Sequence, residues 1–343
     1  MKTQPKIVSL LVSLASLVVI VAGLKAMAGL LTPILLSLFL VLVTYPILAW
    51  LRGRGVPHWL AYVLVLLSVV AVGSFAVLFI VTSINELVNL IPTYSNQIET
   101  QVEFLWQWLT DKGVTVDDIQ ALSWFQPEKI IRLSLTLTST VLGTLSNTGL
   151  TLLIFIYMLA TAPTFSAQLK KGLKPNSPAL HRLEEFAHST SSYLMIKGWL
   201  GAVTALIQML LMVILGLDFA VLWGVLSFAL NFVPNIGFYL ALIPPLLIAI
   251  IELGWLKALF FALGYVLINN FFDMVVAPRY LSKGLDLSVL VTFLAVIIWA
   301  WILGPIGAFL ALPLTIMVKT LLLEPFPQTQ LIASVMSPGG EES

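Results

Sequence analysis

Apolar runs of bilayer length constrain this chain more than any other feature. Several stretches of about twenty residues contain almost no charge, and about twenty helical residues cross the hydrocarbon core of a membrane. Of the 343 residues, 59% are hydrophobic and 10% charged, against about 25% charged in a soluble domain. So few polar side chains cannot cover one soluble core. The expected fold class is therefore all-α: a polytopic membrane protein with about eight transmembrane helices plus broken or re-entrant hairpins.

The pattern places spans at about 7–24, 31–51, 59–82, 138–160 and 198–216. Shorter or interrupted apolar segments follow near 219–233, 237–252, 255–277, 287–303 and 306–323. Lys2 and Lys6 before the first run, and "AMA" after it, resemble a secretory signal. The run is long for one, so a retained first span is expected. Arg52, Arg54, Lys170, Lys171, Lys174, Arg182, Lys197, Arg279, Lys283 and Lys319 fall on one side if the spans alternate, with Lys25 the one mild exception. The positive-inside rule then makes both termini cytoplasmic.

Six segments follow. Residues 1–82 hold three transmembrane helices. Residues 83–137 form an extracytoplasmic amphipathic segment, with Leu87, Ile91, Tyr94, Ile98, Val102, Leu105 and Leu109 on one helical face. Residues 138–197 carry the fourth span and a cytoplasmic amphipathic helix. Residues 198–253 and 254–323 each form a membrane repeat, and 324–343 is a polar tail expected to be disordered.

The repeat is visible in the letters. GLDFAVL at 216–222 returns as GLDLSVL 68 residues later, at 284–290. PNIGFYLALIP at 234–244 is answered by GPIGAFLALP at 304–313. The expected helix breaks are Pro234, Gly237 and Pro244 in the first copy, and Gly304, Pro305, Gly307 and Pro313 in the second. Alternating spans put Asp218 outside and Asp286 inside, so the copies are expected to be inverted. Inverted repeats with broken helices are a transporter architecture, with the site near the midplane at the repeat interface.

Enzyme chemistry has no visible equipment. No GxxxxGK[ST], HExxH or GxSxG occurs, there is no cysteine, and the three histidines lie in connections. No cofactor, metal site or nucleic-acid partner is expected, the last because net charge is only +1. Polar residues inside apolar segments remain. A carboxylate at membrane depth is a functional candidate by default, and Asp273 is that carboxylate. Asn269 shares its helical face and Asn270 neighbours it. The plainer alternative pairs Asp273 with Arg279 or Lys283 at the interface. Asn231 and Asn235 flank Pro234, where their amides would bind a solute or satisfy freed backbone groups. Gln208 and Tyr239 are weaker candidates.

The stretches NFVPNIGFYLALIPP (231–245), APRYLSKGLDLSVLVTFL (277–294) and WILGPIGAFLALPLTIMVK (301–319) resemble the AI-2E family of bacterial transporters. The resemblance implies a secondary transporter of the bacterial inner membrane that forms homo-oligomers. It implies export of a small polar metabolite such as autoinducer-2, coupled to an ion or proton. The alternative it carries is exchange of Na⁺ or Li⁺ for protons. A non-transporting scaffold is a third reading, though a scaffold needs no broken helices. Many relatives carry an acidic or Gln-rich motif before the Pro-Arg pair. Here the region reads NNFFDMVVAPR.

Overall fold

The computed structural model describes residues 6–75, 77–78, 81–82, 136, 148–172, 177–234, 236–281 and 287–337. The expected amphipathic segment 83–137 falls almost wholly outside them, as do Asn235, Lys283 and Asp286. Every regular element among the described residues is helical. Helices α1 (Lys6–Ala26), α2 (Ala28–Gly53), α3 (His58–Phe75), α4 (Thr148–Gly172) and α5 (Pro178–Leu215) come first. Then follow α6 (Ala220–Leu230), α7 (Ile236–Leu253) and α8 (Trp255–Asn270). A π-helical turn at Phe271–Val276 extends α8 into a last helical turn, Ala277–Leu281. Helices α9 (Val289–Leu303), α10 (Pro305–Phe309), α11 (Ala311–Val318) and α12 (Gln330–Met336) complete the order. Among the described residues, six helices are long and apolar enough to cross a membrane: α2, α3, α4, α5, α7 and the stretch Trp255–Tyr280. Helices satisfy their own backbone, which is what a span in hydrocarbon requires. Outward-facing Val18, Val19 and Ile20 on α1 are 67%, 69% and 58% exposed, a surface suited to lipid rather than water.

Two compact units arise. One holds Met1–Val56, Ser146–Ser191 and Leu285–Ser343; the other holds Pro57–Leu145 and Ser192–Gly284. The division falls inside α5, and it cuts across the expected segments. Residues 254–284 fall in the same unit as 198–253, where α8 packs on α7 through one core. That core includes Met212, Leu222, Trp223, Leu226, Ile248, Phe261 and Tyr265. The expected cytoplasmic helix and fifth span are likewise one continuous 38-residue helix, α5.

In the first unit, α2 packs on α4 with Phe39, Leu48, Phe155 and Leu159 buried. Pro46 lies within α2 and has no N–H to give the Leu42 carbonyl four residues back. The Ser191 hydroxyl of α5 donates to that carbonyl at 2.7 Å. The second hairpin starts at Ser288, whose Oγ accepts from Val291 N at 3.3 Å and caps α9. Gly304, with φ of 72°, ends α9. A further interruption at Leu310 lies three residues before Pro313, which itself sits in the first turn of α11. Gln330–Met336 is a short helix. The Met336 carbonyl accepts from Ser288 N at 2.8 Å, and Lys319 Nζ donates to Ser337 Oγ at 2.8 Å.

In the second unit, Gly216 ends α5 with φ of 77°. Leu217 N donates to Met212 O and Gly216 N to Val213 O, the paired closure of a glycine-terminated helix. Helix α6 then rises for only 11 residues. That is about 16 Å at 1.5 Å per residue, half of a hydrocarbon core of about 30 Å. One expected break does not occur. Pro244 lies inside α7, which runs unbroken through Pro244 and Pro245. Neighbouring packing lets a membrane helix absorb the lost hydrogen bonds, and both prolines are buried.

Candidate functional site

The first Pro/Gly break builds one wall of a cavity. Pro234 has no N–H, so α6 stops and a turn takes over. Val233 N donates to Leu230 O at 2.9 Å, and Gly237 N to Val233 O at 3.1 Å. Helix α7 starts directly against the end of α6. A Cβ at Gly237 would lie 1.9 Å from the Leu230 carbonyl oxygen, so only glycine fits. Asn231 is the C-cap of α6, its N–H bonded to Ser227 O. Its Oδ1 is buried and has no hydrogen-bond partner among the described residues. The side chain lies against Gly201 of α5, where a Cβ would stand 3.4 Å from that oxygen.

The opposite wall is the π-helical turn. A π turn inserts one residue into the helical ladder and re-aims the side chains beside it. Asn269, 8% exposed, donates from Nδ2 to Asp273 Oδ2 at 2.8 Å. Lys197 of α5 places Nζ 3.6 Å from Asp273 Oδ1. The carboxylate is therefore held by an amide on one oxygen and an ammonium on the other. Asp273 pairs with Lys197, from another helix, and not with Arg279 of its own segment; Lys283 lies outside the described residues.

Between these walls is a cavity of about 360 Å³. It is lined by Asn231, Pro234, Gly237, Asn269, Asn270 and Asp273, together with Lys197, Ser227, Tyr239 and Tyr265. Four of the five polar residues singled out in the sequence thus meet in one place, and the fifth, Asn235, lies outside the described residues. Gly304, Pro305, Gly307 and Pro313 belong to the second hairpin and do not line the cavity. Nor does Pro244, inside its helix.

The cavity floor continues as a buried polar chain. Tyr265 Oη donates to Ser227 Oγ at 3.1 Å, and Ser227 Oγ donates to Gln208 Oε1. Tyr265, Ser227 and Gln208 are 0%, 4% and 1% exposed. Such a satisfied chain holds three helices in one register.

Sequence reasoning missed Lys197, Ser227 and Tyr265. Lys197 reads as a loop cation when the span begins at residue 198. The signal was present in YLMIKGWLGA, where the lysine is flanked by apolar residues on both sides. Ser227 and Tyr265 are single polar atoms in apolar helices and carry no periodic signal.

The chemistry available is recognition. One cation and one anion offset each other, and the three amides offer both donors and acceptors. No group of three His, Cys, Asp or Glu residues that would hold a metal occurs among the described residues. A volume near 360 Å³ sits at the small end of ligand pockets, which run from about 300 to 1,000 Å³.

Comparison with known proteins decides the family. The profile of the AI-2E family transporters matches residues 14–324. The chain belongs to the AI-2E transporter family. Among similar proteins, the AI-2 transport protein TqsA of Escherichia coli K12 is 32% identical over 96% of this chain and 95% of its own length. A putative transport protein of Haemophilus influenzae is 30% identical over 95% of each chain. The putative transport protein YhhT of Escherichia coli K12 is 28% identical over 97% of this chain and 95% of its own. As an AI-2E transporter, the protein is a multi-pass membrane protein. The family is the one that the PNIG, Pro-Arg and GPIG motifs resemble.

Proposed function

We propose that this AI-2E transporter exports a small, neutral, polar metabolite, with an autoinducer-2-type compound as the leading candidate, by secondary transport. The observation that carries the reading is the cavity beside the first hairpin break. It is compact, rich in amides and balanced in charge, as a site for a small hydroxylated solute should be. The name of the 32% identical relative supports the same substrate. Location in a bacterial inner membrane, cytoplasmic termini, a homo-oligomeric assembly and coupling to protons or another monovalent cation complete the proposal.

The alternative is a Na⁺(Li⁺)/H⁺ antiporter, favoured by one observation: Asp273 presents a carboxylate to the cavity. The Lys197 ammonium beside it weighs against that reading, because a free cation would have to displace it. The deciding experiment is flux in proteoliposomes, with autoinducer-2 and Na⁺ offered separately under an imposed proton gradient. Autoinducer-2 flux that falls in Asn231→Ala supports export. Na⁺ flux alone would transfer the proposal to antiport. Absence of both fluxes would leave the protein as a membrane scaffold.

A further inference from the structure

Among the described residues, Lys197 is the one ammonium lining the cavity, and a neutral-solute site does not call for it. Its surroundings are those of a cation site. Asp273 supplies a carboxylate oxygen 3.6 Å from Nζ, and its other oxygen is held in place by Asn269. Asn231, whose buried Oδ1 has no partner among the described residues, lines the same space, as do Ser227 and Tyr265. Ala241 lines it too, and Pro245 cannot supply that residue's carbonyl with its usual helical donor. Backbone carbonyls that lack their helical donor are ligands that membrane carriers offer to Na⁺, and oxygen atoms are what a hard cation prefers.

We propose that Lys197 is a tethered monovalent cation. Its ammonium takes the place beside Asp273 that a free alkali cation would occupy, so this carrier binds its solute without one. A lysine suits the task, being a compact point charge on a flexible stem. Here it is held at 16% side-chain exposure by the helices around it. The ion pair thereby acts as the specificity-determining element against Na⁺. The inference rests on the cavity being the transport site, but its test reads cation binding and not solute flux, so the two fail separately.

The test compares thermal unfolding of purified full-length protein in nanodiscs, in sodium chloride and in choline chloride of equal ionic strength. Wild type is expected to unfold at the same temperature in both. Lys197→Gln is expected to gain several degrees in sodium, because a ligand that binds only the folded state stabilises it. Lys197→Gln combined with Asp273→Asn should lose that gain, and Lys197→Arg should behave as wild type. A variant that merely loosened the fold would shift equally in both salts. Sodium stabilisation of wild type, or indifference to sodium in Lys197→Gln, overturns the proposal. If Lys197→Gln folds poorly, the yield of folded protein in the two salts becomes the readout. Recovery in sodium alone supports the proposal, and no recovery in either salt overturns it.

Discussion

The two hairpins share a construction and differ in what surrounds it. In each, a hydrophobic helix ends at a Pro/Gly break, and a glycine just past the break meets the backbone of the helix before it. A Cβ at Gly237 would lie 1.9 Å from Leu230 O, and one at Gly307 would lie 1.9 Å from Trp299 O. The sequence repeat is thus a repeat of one steric solution. The second hairpin closes its polar groups on themselves. Trp299 Nε1 donates to Thr315 Oγ1 at 3.0 Å, and the Thr315 hydroxyl donates to Ala311 O at 2.7 Å. The Lys25 ammonium rests 3.5 Å over the Trp301 ring. The first hairpin instead leaves Asn231 Oδ1 unpartnered beside a cavity with an ion pair. The lesson is that break geometry and ligand chemistry are separable: the same turn serves as a closed joint in one place and as a cavity wall in the other.

The largest effect is expected where the hairpins are alike. Gly237→Ala and Gly307→Ala each force a backbone clash, so each should cost on the order of 3 kcal/mol or more. Unfolding temperature or yield of monodisperse protein measures this. Tolerance of either change would break the likeness. The next effect should separate the hairpins. Asn231→Ala is expected to cut solute flux about tenfold, the equivalent of about 1.4 kcal/mol, with normal expression. Thr315→Val in the second hairpin should lower thermal stability while flux per folded molecule is retained. Equal flux losses would erase the distinction.

Ser227→Ala tests the chain beneath the cavity. It strands Tyr265 Oη and Gln208 Oε1, and the loss should be about 1–2 kcal/mol, the upper range for polar contacts between membrane helices. An unchanged unfolding temperature would mean that those groups find other partners. The smallest effect concerns Ser191. Ser191→Ala should cost about 0.6 kcal/mol by removing the donor to Leu42 O. In a Pro46→Ala background the same change should cost less, because the new backbone amide reaches that carbonyl itself. A double-mutant cycle with no coupling would refute the substitution of hydroxyl for amide.

Local physics made much of this readable. Asn269 and Asp273 lie four residues apart, so their contact follows from helical geometry alone. Pro234 and Gly237 announce a break because one removes a donor and the other removes a side chain. Pro244 misled for an instructive reason: a proline stops a helix only if its surroundings fail to absorb the loss, and in α7 both Pro244 and Pro245 are buried among helices. Lys197 misled in the opposite direction. Its charge placed it in a connection, whereas the structure keeps it within a helix because Asp273 is there to receive it.

By itself the sequence determined that the chain is helical and membrane-spanning, and that a break falls at Pro234–Gly237 and another at Gly304–Pro305. Those properties depend on hydrophobic run length and on which residues can donate a backbone hydrogen bond, and both act over a few neighbours. Tertiary structure alone decided that Lys197, Ser227, Asn231, Tyr265 and Asp273 share one cavity. They come from three helices, the π-helical turn that extends α8 and the turn between α6 and α7, and their meeting depends on how α5, α6, α7 and α8 pack. Side-chain volume across those contacts sets that packing, and no local pattern of apolar residues encodes it.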